Sequence, residues 1–452
     1  MQIPRWLAGA LCALLGACAH VHETTLDNGL KVVVKPDRRA PVVVSQLWYK
    51  VGSSDEPSGL TGISHVLEHM MFKGSERLAP GEFSRIIAEH GGRENAFTSK
   101  DYTAYYQQLE KSRLPVSFEL EAERMRKLRL PDEEFQKEVK VVMEERRLRT
   151  DDRPEGLLYE QFMATAYQVH PYRNPIIGWM DDLKTLRVEE LKDWYRRWYA
   201  PNNATLVVVG DVEPGAVFAL ADKYFGAIPR VEVAPAPVPD EPPQQAMRRT
   251  RVAAPAEVPS MLLGFHVPAF QTGREWQPYA LEVLAGVLDG GNSARFAREL
   301  VRERQIANSA GADYGSVARH PGMFLISATP ARGRGVEELE RALLAQIERL
   351  RTEPVSDAEL ARVKAQVVAG NVFSRDSLYY QAMQIGMLET AGVGWRLLDE
   401  YVEGIRKVSA RQVQEVAQRY LVETNLTVAV LDPQPRNRRA PRSAPGANSH
   451  AH

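Results

Sequence analysis

Two imidazoles and a carboxylate fall within five residues at His65-Val66-Leu67-Glu68-His69, inside the run GLTGISHVLEHMMFKGSERL. Positions i and i+4 of an α-helix lie on one face, with i+3 beside them. A helix here therefore aims His65 and His69 at one point and leaves Glu68 adjacent to it. Imidazole nitrogen suits Zn2+, and two histidines leave room for a carboxylate and a water. The competing reading is a helix with two satisfied histidines near the surface. That reading wins for a lone histidine, but it loses ground for an H-x-x-E-H cluster in a chain with ten histidines. Only two cysteines occur, Cys12 and Cys18, both near the N-terminus. The body of the chain thus has no disulfide framework, thiolate metal site or cysteine nucleophile, and any metal must be held by His, Asp or Glu.

A third ligand must come from another element that packs on this helix. The run EEFQKEVKVVMEERRLRTDD supplies candidates. Glu138 and Glu145 are two helical turns apart and share a face, whereas Glu144 is turned about 100° from Glu145. Most such runs are solvated charged faces, and spacing alone leaves Glu138, Glu144 and Glu145 all open.

The elements that must position these groups show in the apolar pattern. TTLDNGLKVVVKPDRRAPVVVSQLWYKVGS reads as two strands around a turn containing Pro36, Asp37 and Pro41. Helical patterns are expected around residues 60–72, 81–90, 113–128 and 132–149, with β-prone segments at 94–99 and 103–109. The apolar run ATLVVVG at 204–210 suits a central strand. A Pro-rich, aperiodic stretch follows from 228, and the pattern then begins again. PSMLLGFHVPAF matches PVVVSQLWYKVGS, helices are expected at 276–290 and 294–304, and NLTVAVLDP at 425–433 echoes NATLVVVGDV at 203–212. Two halves of about 200 residues imply a duplicated α+β unit. The expected boundaries are an N-terminal zinc domain at 24–228, a linker at 229–250, a homologous domain at 251–433 and a disordered polar tail at 434–452.

With 452 residues the chain can bury more than one core, and 57 basic against 58 acidic residues give no electrostatic case for a nucleic-acid partner. Residues 1–19 read as an export signal: Arg5 precedes an apolar run too short for a permanent membrane span. LLGAC resembles a bacterial lipobox. The expectation is an exported, periplasmic protein held to a membrane only by a lipid on Cys18, with soluble export as the competing reading.

H-x-x-E-H is the inverted zincin motif. Followed by a glutamate 145 − 69 = 76 residues later, it resembles the pitrilysin/insulinase family of metallopeptidases, which includes the mitochondrial processing peptidases. LDNGLKVVV, GGRENAFTSKDYTAYY, HPYRNPIIG and NATLVVVGDV extend the resemblance over roughly residues 24–432. The resemblance implies His65, His69 and Glu145 as ligands of one Zn2+, with an open position for water. It makes Glu68 the general base and Glu138 an acid supporting the site. It implies peptide substrates added as a strand along an exposed sheet edge at ENAFTS, with Asn95, Ala96 and Thr98 as backbone contacts. It also implies a fold of two homologous domains, each a sheet backed by helices, forming half of a clamshell-like chamber. The function implied is a zinc metalloendopeptidase of unfolded peptides in the cell envelope. The alternative is a weakly active or inactive structural subunit of a heteromeric processing-peptidase-like complex.

Relatives carry an Arg and a Tyr in the second half that orient substrate. In SARFARELVRERQIANSAGADY, Arg295 matches the Arg, but Asn308 stands at the Tyr position and Tyr314 lies six residues later. A homodimer, or a heterodimer with a homologous subunit supplying the Arg/Tyr pair, is therefore expected.

Overall fold

Val-rich segments of the first half become the centre of a six-stranded sheet in the computed structural model, which describes residues 20–234 and 238–435. The leader with Cys18 and the tail from 436 lie outside the described residues. The strands are β1 (His22–Thr25), β2 (Lys31–Pro36), β3 (Val42–Tyr49), β4 (Arg93–Thr98), β5 (Thr103–Glu110) and β6 (Ala204–Gly210), in the order β1-β2-β6-β3-β5-β4. β6 is buried along its whole length and β3 along nearly all of it. Both faces of the sheet are therefore covered, which is what unbroken apolar runs require. β1 was not foreseen. Its four residues, HETT, carry no period, yet they pair antiparallel with Lys31–Val34 across the Asp27–Gly29 turn.

The second half builds β7 (Arg248–Pro255), β8 (Ser260–Val267), β9 (Ala307–Tyr314), β10 (Gly322–Pro330) and β11 (Leu426–Gln434), ordered β7-β11-β8-β10-β9. Its pairings repeat those of the first sheet. β7 with β11 is parallel, like β2 with β6, and the other three pairs are antiparallel. The echoing segments occupy equivalent places, β6 matching β11 and β3 matching β8. The Pro-rich segment is shorter than expected, because β7 already begins at Arg248. It is also fastened: Glu241 accepts the backbone N–H groups of Gln168, Val169 and His170 at 2.8–3.1 Å.

Helices α1 (Ile63–Met70), α2 (Glu82–Glu89), α3 (Leu114–Arg126) and α4 (Asp132–Arg146) lie where periodicity placed them. The expected helix to residue 149 changes winding at its end, where Arg147–Asp151 form a wider π-helical turn. The helix expected at 294–304 is also π-wound, over Phe296–Glu303.

The two halves cover each other reciprocally. α5 (Pro154–Ala166), from the first half, places Leu158, Phe162 and Met163 on the second sheet with Met323, Ala429 and Leu431. The helix Leu378–Thr390, from the second half, places Ala382 and Ile385 on the first sheet against Val44, Trp48, Val207 and Val209. Both helices touch protein on more than one side, so neither shows a single apolar stripe, and sequence periodicity missed them. The second contact is close enough to need glycine: a Cβ on Gly386 would overlap the Trp48 indole. Gly386→Ala is expected to destabilise the protein by about 1–3 kcal/mol through overpacking. The check is a lower urea midpoint at unchanged slope; an unmoved midpoint would contradict this docking.

Candidate metal centre

α1 divides its faces. Ile63, Val66, Leu67 and Met70 enter the hydrophobic core, while His65, Glu68 and His69 lie on the opposite side. Its N-terminus lacks a side-chain cap of its own, because the cap position is Gly62 at φ +88°. The Glu56 carboxylate substitutes, accepting from Gly62 N at 2.8 Å and Ser64 N at 2.9 Å. Glycine is required at 62 also by space, since a Cβ would lie 2.7 Å from the Ile177 carbonyl.

α4 packs across α1. Phe135, Val139 and Val142 bury its apolar stripe, which turns Glu138 and Glu145 toward the histidines. His69 Nε2 lies 3.4 Å from Glu145 Oε2, and His65 Nε2 lies 3.8 Å from the same oxygen. Among the described residues this trio is the one group of three His, Cys, Asp or Glu ligand atoms within 4.8 Å of one another. The other nitrogen of His69, Nδ1, faces Glu138 Oε2 at 3.3 Å. That contact places the Nδ1 proton toward Glu138 and leaves Nε2 free to bind a metal. His65 Nδ1 is buried without a hydrogen-bond partner. Glu144 is exposed and paired with Arg147 at 2.7 Å, away from the cluster.

The donor set fits zinc. Tetrahedral ligands about 2.0–2.1 Å from a Zn2+ stand about 3.3–3.4 Å apart, close to the spacing found between His69 and Glu145. Electrostatics fit as well. Burial lowers His65 to about 4, with the neighbouring His69 charge adding to the effect, so His65 is neutral. Burial also works against a charged His69, but Glu138 and Glu145 outweigh it and raise this imidazole to about 9. Both carboxylates are held below their ordinary values despite burial, Glu138 by His69 and Lys73, and Glu145 by the two histidines and Arg149. Lys73 Nζ reaches Glu138 Oε1 at 2.8 Å, and Arg149 Nη1 reaches Glu145 Oε1 at 2.6 Å. Neither cation was anticipated from sequence. Arg149 sits on the π-helical turn, four residues after Glu145, and pairs with it as an i, i+4 neighbour.

Glu68 lies beside the trio and takes a 2.5 Å hydrogen bond from the Thr98 hydroxyl. Burial raises its carboxyl, and the Thr98 bond opposes that rise. β4, which carries Asn95, Ala96 and Thr98, is an edge strand paired only with β5. Ala96 and Thr98 face α1, whereas Phe97 faces the other way, against Trp48 at 5.4 Å. The Asn95 side chain accepts from Ala96 N at 2.8 Å.

The second half reaches this region through Arg319. Its guanidinium pairs with both Asp55 oxygens at 3.1 and 2.7 Å and donates to Ser54 Oγ at 2.8 Å. Its backbone N–H donates to Asp101 Oδ2 at 3.0 Å. Asp55 precedes the residue that caps α1, and Asp101 follows β4, so one arginine ties both supports of the site together. No motif signalled it. Arg295 is elsewhere: its Nε and Nη2 donate to Glu359 at 3.1 and 2.8 Å, and it hydrogen bonds none of the metal-centre residues. Asn308 is exposed on β9, and the Tyr314 hydroxyl donates to the Pro268 carbonyl.

Comparison with known proteins yields two family models, Insulinase (Peptidase family M16) over residues 31–179 and Peptidase M16 inactive domain over residues 185–367. The Helicobacter pylori zinc protease PqqE is 34% identical over 442 residues, covering 94% of this chain and 98% of that protein. A crystal structure of a protease from Helicobacter pylori superposes with TM-score 0.87 at 33% identity, over 92% of this chain and all of that one. The periplasmic protease PqqL from Escherichia coli shares the fold with TM-score 0.78 at 19% identity, over 95% of this chain but 51% of its own.

Because His69 is protonated below about 9, a zinc ion bound through its Nε2 would displace a proton. Zinc affinity is therefore expected to rise about tenfold per pH unit between 6 and 9 and then level, with about one proton released per zinc at pH 7.5. Calorimetry in buffers of different ionisation enthalpy reads this release, and zero protons would contradict the geometry. Glu138→Ala is expected to weaken zinc about 10–100-fold by freeing the His69 ring.

Proposed function

The chain belongs to the insulinase family of peptidases, family M16, and from that premise we propose that it is a zinc metalloendopeptidase of extended polypeptides in the cell envelope. The observation that carries the proposal is the convergence of His65, His69 and Glu145, with Glu68 alongside, next to an open sheet edge. His65 Nε2, His69 Nε2 and Glu145 Oε2 would hold one zinc per chain.

When bound, zinc supplies a Lewis acid that acidifies water and polarises a peptide carbonyl. The chain's own groups do the rest. Glu68 takes the proton of the attacking water and returns it to the leaving amine; burial, by raising its carboxyl, moves it toward the neutral range where such a base works best. Thr98 holds one oxygen of Glu68, which leaves the other for the water. Glu138 keeps the His69 ring in orientation. The N–H and C=O groups of Ala96 and Thr98, on the free side of β4, would receive the substrate backbone as an added strand. The backbone of Asn95 faces β5, and only its side chain, which accepts from Ala96 N, lies at that edge. Recognition of backbone in this form requires an unfolded segment and excludes folded proteins.

The second half shares the strand order of the first but contributes no metal ligand to the cluster, in keeping with a match to a family model described as an inactive domain. Arg295 is tied to Glu359 and Asn308 stands where a Tyr is expected, which supports a pairing with a second copy or a homologous subunit that provides the Arg/Tyr pair. PqqL, of which this chain spans half, has length enough for two such units, in keeping with a clamshell whose halves face each other. Anchorage through a lipid on Cys18 is part of the proposal. No helix among the described residues is long and apolar enough to cross a membrane.

Glu68→Gln is expected to retain zinc while peptide cleavage falls by about 10²–10⁴-fold. Zinc content by mass spectrometry and hydrolysis of an unstructured peptide are the two readouts. Undiminished hydrolysis in a zinc-loaded variant would overturn the role of Glu68.

A further inference from the structure

A cavity of about 390 Å3 opens in the second half, remote in sequence from the metal ligands. Phe270, Tyr314, Met383, Met387, Leu398 and Tyr401 wall it, so its lining is largely apolar and rich in aromatic rings. One carboxylate interrupts this lining. Glu282, on the helix Trp276–Asp289, accepts hydrogen bonds from the hydroxyls of Ser316 and Tyr401, one at each oxygen. Both partners are neutral. No Lys, Arg or His among the described residues pairs with Glu282, and burial raises its carboxyl with only those two hydroxyls opposing. Almost every other buried acid described above has a cation or several N–H donors, as Glu138, Glu145, Asp55 and Glu241 do.

A carboxylate held by two fixed donors inside an apolar wall, with no counter-charge, is complementary to a cation that brings its own apolar body. Aromatic faces favour the same ligand, since an organic cation is attracted to the ring quadrupole. We propose that this cavity is a binding site for an organic cation, a protonated amine on an apolar stem, with Glu282 as its counter-ion and the aromatic and methionine side chains as its walls. Such an amine could be the side chain of a lysyl residue in a peptide or a free alkylamine; the chemistry is shared. The site does not depend on the metal centre or on the peptidase reading. Its far wall, the helix Leu378–Thr390, is the one whose other face covers β3 and β6 of the first sheet.

The test is calorimetric titration of the full chain at pH 7.5 with hexylammonium chloride, hexan-1-ol and sodium hexanoate. Hexylammonium is expected to bind at least about tenfold more tightly than hexan-1-ol, and hexanoate not measurably. Glu282→Gln is expected to bring the ammonium and the alcohol to equal affinity while leaving the alcohol unchanged. Equal affinities in the unsubstituted chain, or a cation preference that survives Glu282→Gln, would overturn the proposal. The first comparison needs no variant and decides the matter even if Glu282→Gln does not fold. Titration with Nα-acetyl-lysine amide and Nα-acetyl-norleucine amide identifies the source. A Glu282-dependent preference for the lysyl compound assigns a peptide side chain, and a response to hexylammonium alone assigns a free amine; either result supports the cation site.

Discussion

The imidazole of His69 lies between two carboxylates that stand two turns apart on a single helix, and most of the local architecture serves that arrangement. Each carboxylate divides its oxygens. Glu145 gives one to the histidines and one to Arg149, and Glu138 gives one to His69 and one to Lys73. Without those outer cations, two buried anions would crowd one ring, and burial would push protons onto them. With them, the pair stays ionised, and the His69 site can be filled by a proton or by a metal. At the proposed zinc site, metal entry would then be an exchange of positive charges within a prearranged anionic frame, which would spare it the cost of assembling one.

Such an exchange works only if the two helices keep their positions. α1 is fixed at its N-terminus by Glu56, and the end of α4 is fixed by Arg146, which is buried and donates to both Glu160 oxygens on α5 at 2.7 and 2.9 Å. α5 in turn covers the sheet of the second half, and Arg319 of that half returns to the loops supporting α1 and β4. The second half therefore holds this cluster in place from both sides while contributing none of its three residues, His65, His69 and Glu145. Buried charge pairs of this kind are strongly destabilising when one partner is removed, which makes them effective at fixing position.

Legibility in the sequence followed the range of the interactions. The i, i+4 histidines, the Glu138–Glu145 spacing and the Val-rich strands are local patterns, and they read correctly as elements. The choice of Glu145 over Glu144 needed the family resemblance; in the structure Glu145 faces the histidines, while Glu144 turns to solvent and Arg147. The Thr98 hydroxyl, Lys73 and Arg319 were invisible because each acts across a tertiary contact that no spacing rule encodes, whereas the Glu145–Arg149 pair is local, at i and i+4, and was simply not singled out. α5 and the helix Leu378–Thr390 were invisible for a different reason. Packed on more than one side, they lack the single stripe by which a helix announces itself. The Pro-rich segment read as a linker is held at Glu241, whose three backbone bonds fasten it to the first half, a contact that composition does not encode.

The most direct test is to crystallise the zinc-loaded protein and collect anomalous diffraction on both sides of the zinc absorption edge. One peak per chain is expected, within bonding distance of His65 Nε2, His69 Nε2 and a Glu145 oxygen, with Glu138 still against His69 Nδ1. A peak bonded to Glu138 in place of Glu145, or no peak between the two helices, would contradict this arrangement.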